Sequence, residues 1–225
     1  MKSLVKVVAS TAACALLLST AAVAAPEFGL GANIGTQGLG AEIATPIYKD
    51  SLNLRAGLYG ANYSVSNRTS GDVSYSYSLK LFNAGAFADY FPFEGSFRLS
   101  AGLVYNGNKF DVSGNATQGS YTLNGHTYTA ADVGSINGTV KYQAIAPYLG
   151  IGGGNTASSK SGFKFVWDVG VMFTGSPTVD LSANCSGASA ASCQADVAAE
   201  KQKLSDDVHK VNFWPVLKLG VAYAF

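Results

Sequence analysis

Apolar and polar residues alternate with a period of two along most of this chain. At the C-terminal end, Phe225, Tyr223 and Val221 share one parity, whereas Ala224 and Ala222 share the other. This period predicts a strand with one apolar face and one mixed face. Further segments show compatible alternation, so we predict eight strands, at residues 28–35, 39–48, 52–65, 73–91, 96–112, 140–152, 162–175 and 211–225.

The connections between these strands differ in length. Those after the second, fourth and sixth strands are short, whereas two long segments, residues 113–139 and 176–210, follow the fifth and seventh. With both termini at one end, the long segments meet at the opposite, external end, as in barrels whose short turns are periplasmic. Pairing the first strand with the last leaves no free edge. We therefore predict an all-β fold, an eight-stranded antiparallel up-and-down transmembrane β-barrel with two long external insertions.

The insertions carry local signals of their own. Asn124 and Gly125 are the preferred pair for a type I′ turn and predict a small hairpin over residues 121–128. Residues 194–210 lack glycine and proline and predict a short helix. Its apolar stripe is narrow, which favours a position on the barrel rim. In the fourth strand the apolar parity changes, which predicts a bulge near Leu81.

The first residues have the pattern of a secretory signal peptide. Lys2 and Lys6 precede an apolar run, and Ala22, Val23 and Ala24 form a small-residue cleavage site. We expect residues 1–24 to be cleaved and residues 25–225 to form the barrel domain. A membrane anchor is the alternative.

Composition narrows the class of protein. Loss of two of the 15 basic residues would leave 13 against 14 acidic residues, a nearly neutral domain that gives no sign of binding nucleic acid. Beyond the signal peptide there is no run of roughly eighteen apolar residues, the length of a helical span. The 26 glycines and the 24 tyrosines plus phenylalanines suit close-packed strands with aromatic girdles.

Four stretches read DYFPFEGSFRLSAGLVYNGNKFD, APYLGIGGGN, VGVMFTGSPTVDLSA and FWPVLKLGVAYAF. Together they resemble a family of small, mostly uncharacterised proteobacterial outer-membrane proteins in the broad class of OmpA-like eight-stranded barrels. The resemblance implies a bacterial outer-membrane location and supplies no catalytic motif. The partners expected are outer-membrane lipid, lipopolysaccharide and, through the strand that ends at Phe225, the barrel-assembly machinery.

The polar parity directs seven charged side chains into the lumen. They are Glu42, Arg55, Asp89, Arg98, Lys164, Asp168 and Lys218, with Lys80 left unassigned because of the predicted bulge. An eight-stranded barrel is only just wide enough for its own side chains. Charges in that space are costly unless paired, which favours a hydrogen-bonded plug over a polar conduit for a small solute.

A symmetric turn over residues 92–95 sets the predicted register of the fourth and fifth strands. It places Asp89 opposite Arg98 in the lumen and Tyr90 opposite Phe97 on the lipid side. We therefore expect Asp89 and Arg98 to form an ion pair.

Cysteine and histidine add little catalytic signal. Cys185 and Cys193 are expected to form a disulfide in an oxidising compartment, with metal binding the minor alternative. His126 and His209 fall in the external segments without a nucleophile motif. We expect no cofactor or metal. The favoured function is a structural or surface-interaction barrel that acts through its external segments. The alternatives are a narrow channel and an outer-leaflet lipid-modifying enzyme.

Overall fold

The computed structural model describes residues 27–48, 51–70, 73–116, 120–210 and 212–225, so the predicted signal peptide lies outside it. The described residues form thirteen strands and one helix. In chain order they are β1 (Gly29–Gly35), β2 (Gly38–Tyr48), β3 (Leu52–Ser70), β4 (Val73–Tyr90), β5 (Phe97–Asn106), β6 (Lys109–Ala116), β7 (Ser120–Leu123), β8 (His126–Thr129), β9 (Val133–Lys141), β10 (Ile145–Gly153), β11 (Gly162–Met172), β12 (Thr178–Cys185), α1 (Ala190–Val208) and β13 (Trp214–Ala224).

Eight of the strands close into an antiparallel barrel, which confirms the predicted fold. The order around the wall is β4-β3-β2-β1-β13-β11-β10-β5, and pairing of β5 with β4 closes it. The first and last strands pair as predicted, with Gly29 opposite Ala224 and Gly35 opposite Lys218. Closure gives every strand of the wall two neighbours and removes the free edges.

Alternation along the strands sorts side chains to the two faces of the wall. Leu58, Phe165 and Leu217 are 57%, 64% and 52% exposed on the outer face, whereas Asp168 and Lys218 are buried inside. At the end that carries the termini, the rings of Phe28 and Phe225 stack with centroids 4.6 Å apart. An apolar outer belt with aromatic residues at its margin is the surface a lipid bilayer requires.

β4 is longer than the barrel wall and changes partner halfway. Residues 83–90 pair with β5, whereas residues 73–80 pair with β6. β9 and β12 follow β6, so three strands extend the sheet beyond the barrel at the external end. Two of the predicted strands are therefore each divided in two, the fifth at residues 107–108 between β5 and β6 and the sixth at residues 142–144 between β9 and β10. β12 lies beyond the predicted seventh strand. We call this five-strand region the external sheet; it consists of residues 62–70 of β3 and 73–80 of β4 together with β6, β9 and β12.

The predicted bulge near Leu81 is wrong. β3 and β4 pair without interruption from Leu52 opposite Tyr90 to Val65 opposite Tyr77, and the register shift lies beyond Val65. Parity changes because β4 leaves the barrel. Residues 83–90 of β4 turn one face toward the polar lumen. In residues 73–80 the same face of the strand is the apolar face of the external sheet.

The predicted register of the fourth and fifth strands is also wrong, by two residues. Asp89 lies opposite Ser100, and Tyr90 lies opposite Leu99. The connection spans residues 91–96, and Glu94 adopts a positive φ of 50° within it. A shift of two preserves parity, so Asp89 and Arg98 still point into the lumen.

A second layer covers part of the external sheet. β7 and β8 form the predicted hairpin, and φ is positive at both Asn124 (50°) and Gly125 (87°), as a type I′ turn requires. α1 begins at Ala190 rather than at residue 194. The predicted disulfide joins Cys185 of β12 to Cys193 of α1, with Cα atoms 6.0 Å apart. Among the described residues, no helix combines the length and the apolar character that crossing a membrane requires.

Buried side chains hold this second layer to the sheet. Tyr121, Leu123 and Tyr128 of the hairpin pack in one cluster with Val133 of β9 and Val197 of α1. The covering is incomplete, because a cleft of about 460 Å³ remains between the layers. Apolar residues of the sheet, the hairpin and the end of α1 line this cleft.

Candidate functional site

The barrel interior brings six of the seven predicted lumen charges together. All six are buried, at 5% exposure or less; they are Glu42, Arg55, Asp89, Arg98, Asp168 and Lys218. Three carboxylates balance three bases, so the cluster has a formal net charge of zero. Lys164 is half-buried near the start of β11 and forms no ion pair among the described residues. Lys80 lies outside the lumen, on the external sheet.

Arg55 is the centre of the cluster. Its guanidinium donates to both oxygens of Asp89, at 2.7 and 3.0 Å, and to Oε1 of Glu42 at 2.8 Å. Its Nη1 also lies 3.5 Å from Asp168. A two-pronged guanidinium–carboxylate contact fixes both side chains in one geometry. Arg55 therefore ties β3 to β2, β4 and, across the lumen, β11.

The other two bases complete the network. Lys218 donates to Glu42 at 2.8 Å and lies 3.4 Å from Asp168, its opposite residue on β11. Arg98 donates to Asp168 at 2.7 Å, whereas its Nε is 3.9 Å from Asp89. The expected Asp89–Arg98 contact is thus a secondary one, because Arg55 occupies both oxygens of Asp89.

Hydroxyl groups donate further hydrogen bonds to the three carboxylates. Tyr59 donates to Glu42 at 2.5 Å, Ser100 donates to Asp89 at 2.6 Å, and Tyr148 donates to Asp168 at 3.2 Å. Nothing in the sequence linked these hydroxyls to particular carboxylates. Each hydroxyl comes from the strand beside that of its carboxylate, so the strand register decides these partners.

Three aromatic rings cross the lumen beside the charges. Phe87 packs edge-on against Tyr148 at 5.2 Å and lies under Arg55, whose guanidinium carbon is 4.5 Å from the ring centroid. Lys218 lies 4.6 Å from the centre of the Tyr59 ring. Cations over aromatic faces are attracted by the ring quadrupole. The rings and the charges therefore form one packed layer.

Inward-facing glycines make room for these rings. A Cβ on Gly102 would lie 2.6 Å from the ring of Phe87, and a Cβ on Gly170 would lie 2.5 Å from the hydroxyl of Tyr148. Large and small residues alternate in this way inside narrow barrels. Side chains from opposite parts of the wall therefore fill the interior.

The connection between β10 and β11 closes the end of the barrel that carries the termini. Thr156 and Ala157 are buried, and the Asn53 amide donates to the side chain of Asn155 at 2.7 Å. Arg98 donates to the carbonyl of Gly154 at 2.5 Å. A recess bordered by Glu42, Asp168 and Lys218 is too narrow to hold a water molecule. The sequence predicted only an ordinary turn over residues 153–161.

The two histidines lie in the external layer, with different partners. His126 Nδ1 is 2.8 Å from Asp196, which also accepts hydrogen bonds from Tyr128 and Asn124. These contacts, the one from Tyr128 foremost, lower the pKa of Asp196 to about 2. His209 Nε2 is 3.4 Å from the hydroxyl of Ser205 on the same helix. The Asp196 contacts fasten the hairpin to α1.

The closed eight-stranded antiparallel barrel, with its apolar outer belt and filled interior, defines an outer-membrane β-barrel protein. Two solved structures from Acinetobacter baumannii are similar to it. CarO2 has a TM-score of 0.60 and 26% identity over 89% of this chain and 99% of its own. CarO has a TM-score of 0.57 and 27% identity over 88% of this chain and 97% of its own.

A major outer membrane protein from Thermus thermophilus is less similar, with a TM-score of 0.43 and 16% identity over 89% of this chain and 100% of its own. No protein-family model matches the chain. A search of curated proteins finds no match either.

Proposed function

We propose that this protein is a closed outer-membrane scaffold that displays its external layer for interactions at the cell surface. The observation that carries the proposal is the filled cross-section of the barrel. A balanced cluster of six buried charges, three aromatic rings and an inward-folded turn occupy the interior. Such a network costs desolvation energy unless every charge is paired, and each of these is.

The external layer supports the second half of the proposal. It is built on its own apolar cluster and is fastened by a disulfide, so it holds a defined surface outside the wall. The cleft of about 460 Å³ falls within the range of small-molecule sites. Because the external layer is held in one conformation, it presents a fixed surface to which a partner can bind, which a mobile loop would not.

A narrow channel is the competing function, and conductance in planar bilayers separates the two. The folded protein is compared with a Phe87→Ala/Tyr148→Ala variant, which removes two of the lumen rings. We expect no channel events from the unaltered protein and intermittent ones from the variant. Stable single-channel events from the unaltered protein would overturn the scaffold function.

The same proposal includes the route to the membrane. Residues 1–24 act as a cleaved signal peptide, and the barrel belongs to the OmpA-like class, with outer-membrane lipid and lipopolysaccharide around it. The barrel-assembly machinery recognises the strand that ends at Phe225. The mass of the mature protein tests the cleavage, and reduced assembly of Phe225→Ala tests the terminal signal.

We propose no catalytic role, cofactor or metal for this protein. His126 and His209 have separate partners, and His126 supports the docking of the hairpin through Asp196. Incubation with labelled lipopolysaccharide tests this part. A changed lipid A profile would indicate a lipid-modifying enzyme instead.

A further inference from the structure

The external sheet has one polar face, and three lysines lie in a single row across it. Lys80 of β4 is directly opposite Lys109 of β6, which in turn is directly opposite Lys141 of β9. Neighbouring strands are about 4.8 Å apart, so the three side chains leave the sheet side by side. All three are exposed or half-exposed.

This lysine row has few free carboxylates near it, because Asp180 shares the polar face but pairs with a lysine of α1 at 3.2 Å. Asp111 lies 2.9 Å from Lys109 and 3.6 Å from Lys80. Lys141 forms no ion pair within the described part of the chain. Like charges at directly opposite positions destabilise a sheet. Three cations sharing one carboxylate therefore leave an arrangement that a further anion would stabilise.

The position of the row relative to the membrane indicates which anion that is. Lys80 shares the outer face of β4 with Phe82, two residues along the strand, or roughly 7 Å. Phe82 is 52% exposed and packs edge-on against Tyr105, which is 47% exposed. Aromatic residues of this kind mark the boundary between the hydrocarbon and the headgroups. The lysine row follows immediately beyond that boundary, at headgroup level.

We propose that Lys80, Lys109 and Lys141 form a binding site for the phosphate groups of an outer-leaflet lipid, of the lipid A type. The acyl chains would lie against the apolar belt below Phe82, and the phosphate would complete the charge balance of the row. The proposal rests on the orientation proposed above, in which the external sheet lies outside the cell. It adds the residues and the chemical group through which lipopolysaccharide is held.

Binding of purified lipid A to the detergent-solubilised folded protein, followed by native mass spectrometry, tests the site. The test variant is Lys80→Gln/Lys109→Gln/Lys141→Gln. The control variant Lys160→Gln/Lys203→Gln/Lys210→Gln removes the same charge elsewhere. Each basic residue near an anionic lipid surface strengthens binding, and the loss of three such residues should lower affinity by roughly 10- to 100-fold. We expect a loss of that size in the test variant and less than about a threefold change in the control.

Thermal unfolding supplies a second readout that a folding defect would not imitate. Without lipid A, the test variant should be as stable as the unaltered protein or more so, because like-charge repulsion is removed. With lipid A, only the unaltered protein and the control should gain stability, since a ligand stabilises the state that binds it. Equal loss of binding in both variants, or no loss in either, would overturn the proposal.

Two further binding measurements test whether the lipid phosphate is the group that the lysines bind. Monophosphoryl lipid A has the same chains and one phosphate fewer. It should bind the unaltered protein more weakly than lipid A does. The test variant should bind the two lipids equally weakly. Inorganic phosphate at millimolar concentration should not displace lipid A. Displacement by inorganic phosphate would show a free-phosphate site instead. A conducting barrel, by contrast, would overturn the scaffold function and leave the lipid site standing.

Discussion

Replacing Arg55 by methionine tests the interior network most directly. Arg55 is fully buried, and its guanidinium serves both oxygens of Asp89 and one oxygen of Glu42. Methionine has a similar length and adds no charge. The variant therefore leaves three carboxylates facing two bases, with Asp89 deprived of its nearest cation.

The expected cost follows from that imbalance. Removing one partner of a buried ion pair destabilises proteins by about 3–5 kcal/mol, because the remaining charge is left without compensation. Arg98 is too far away to replace Arg55 without moving, since its Nε is 3.9 Å from Asp89. We therefore expect Arg55→Met to lower the free energy of unfolding by about 3–5 kcal/mol.

Urea unfolding of the barrel in lipid vesicles, followed by tryptophan fluorescence, measures this cost. Lys80→Met is the matched control, because Lys80 is 56% exposed and lies 3.6 Å from Asp111. Exposed pairs contribute only about 0–1 kcal/mol. The double variant Arg55→Met/Asp89→Asn should cost less than the sum of its single changes by roughly 1–3 kcal/mol. Additive costs, or an Arg55→Met cost as small as that of the control, would refute the network.

Three other changes test the packing, the disulfide and the external layer. Gly102→Val should destabilise the barrel by about 1–3 kcal/mol in thermal unfolding, since the new side chain collides with Phe87. Cys193→Ser, which frees a short loop, should cost about 2–3 kcal/mol and raise hydrogen exchange in α1 but not in the wall. The pKa of Asp196 is lowered to about 2, so the hairpin contact should persist above pH 4 and weaken as the pH falls toward 2.

Controls separate these effects from general damage. Gly95→Ala, in a turn where a Cβ meets only a carbonyl oxygen 3.7 Å away, should leave the melting temperature nearly unchanged. Asp196→Asn should remove the acid dependence of hairpin protection measured by hydrogen exchange. Unaltered acid dependence in that variant would assign the transition to another group.

The inward direction of the lumen charges was predictable, whereas most of their partners were not. Parity identified Arg55, Asp89 and Asp168 as inward residues because a strand turns alternate side chains to opposite faces. The contact of Arg55 with Asp168 depends on how the wall curves until β3 and β11 face each other. The prediction that Asp89 lies directly opposite Arg98 is wrong because the register was set by a six-residue connection with Glu94 at positive φ, although the two side chains still form an ion pair at 3.9 Å.

The external sheet was missed for a related reason. Alternation continues from β5 into β6, and both pair with β4, so the pattern reads as one strand although it is interrupted at residues 107–108. A period of two reports which face a residue occupies and carries no information about the neighbouring strand. The same limit concealed the lysine row, whose three members are brought side by side only by pairing.

The class of architecture, the number of strands in the wall and the face of nearly every residue could be predicted from the amino-acid pattern, because these follow from local geometry and hydrophobic patterning. The folded barrel was needed to establish the register, the partners of the buried charges, the closure by the turn near Asn155 and the external sheet. Those features depend on contacts between residues far apart in the chain, and such contacts exist only after the barrel has closed.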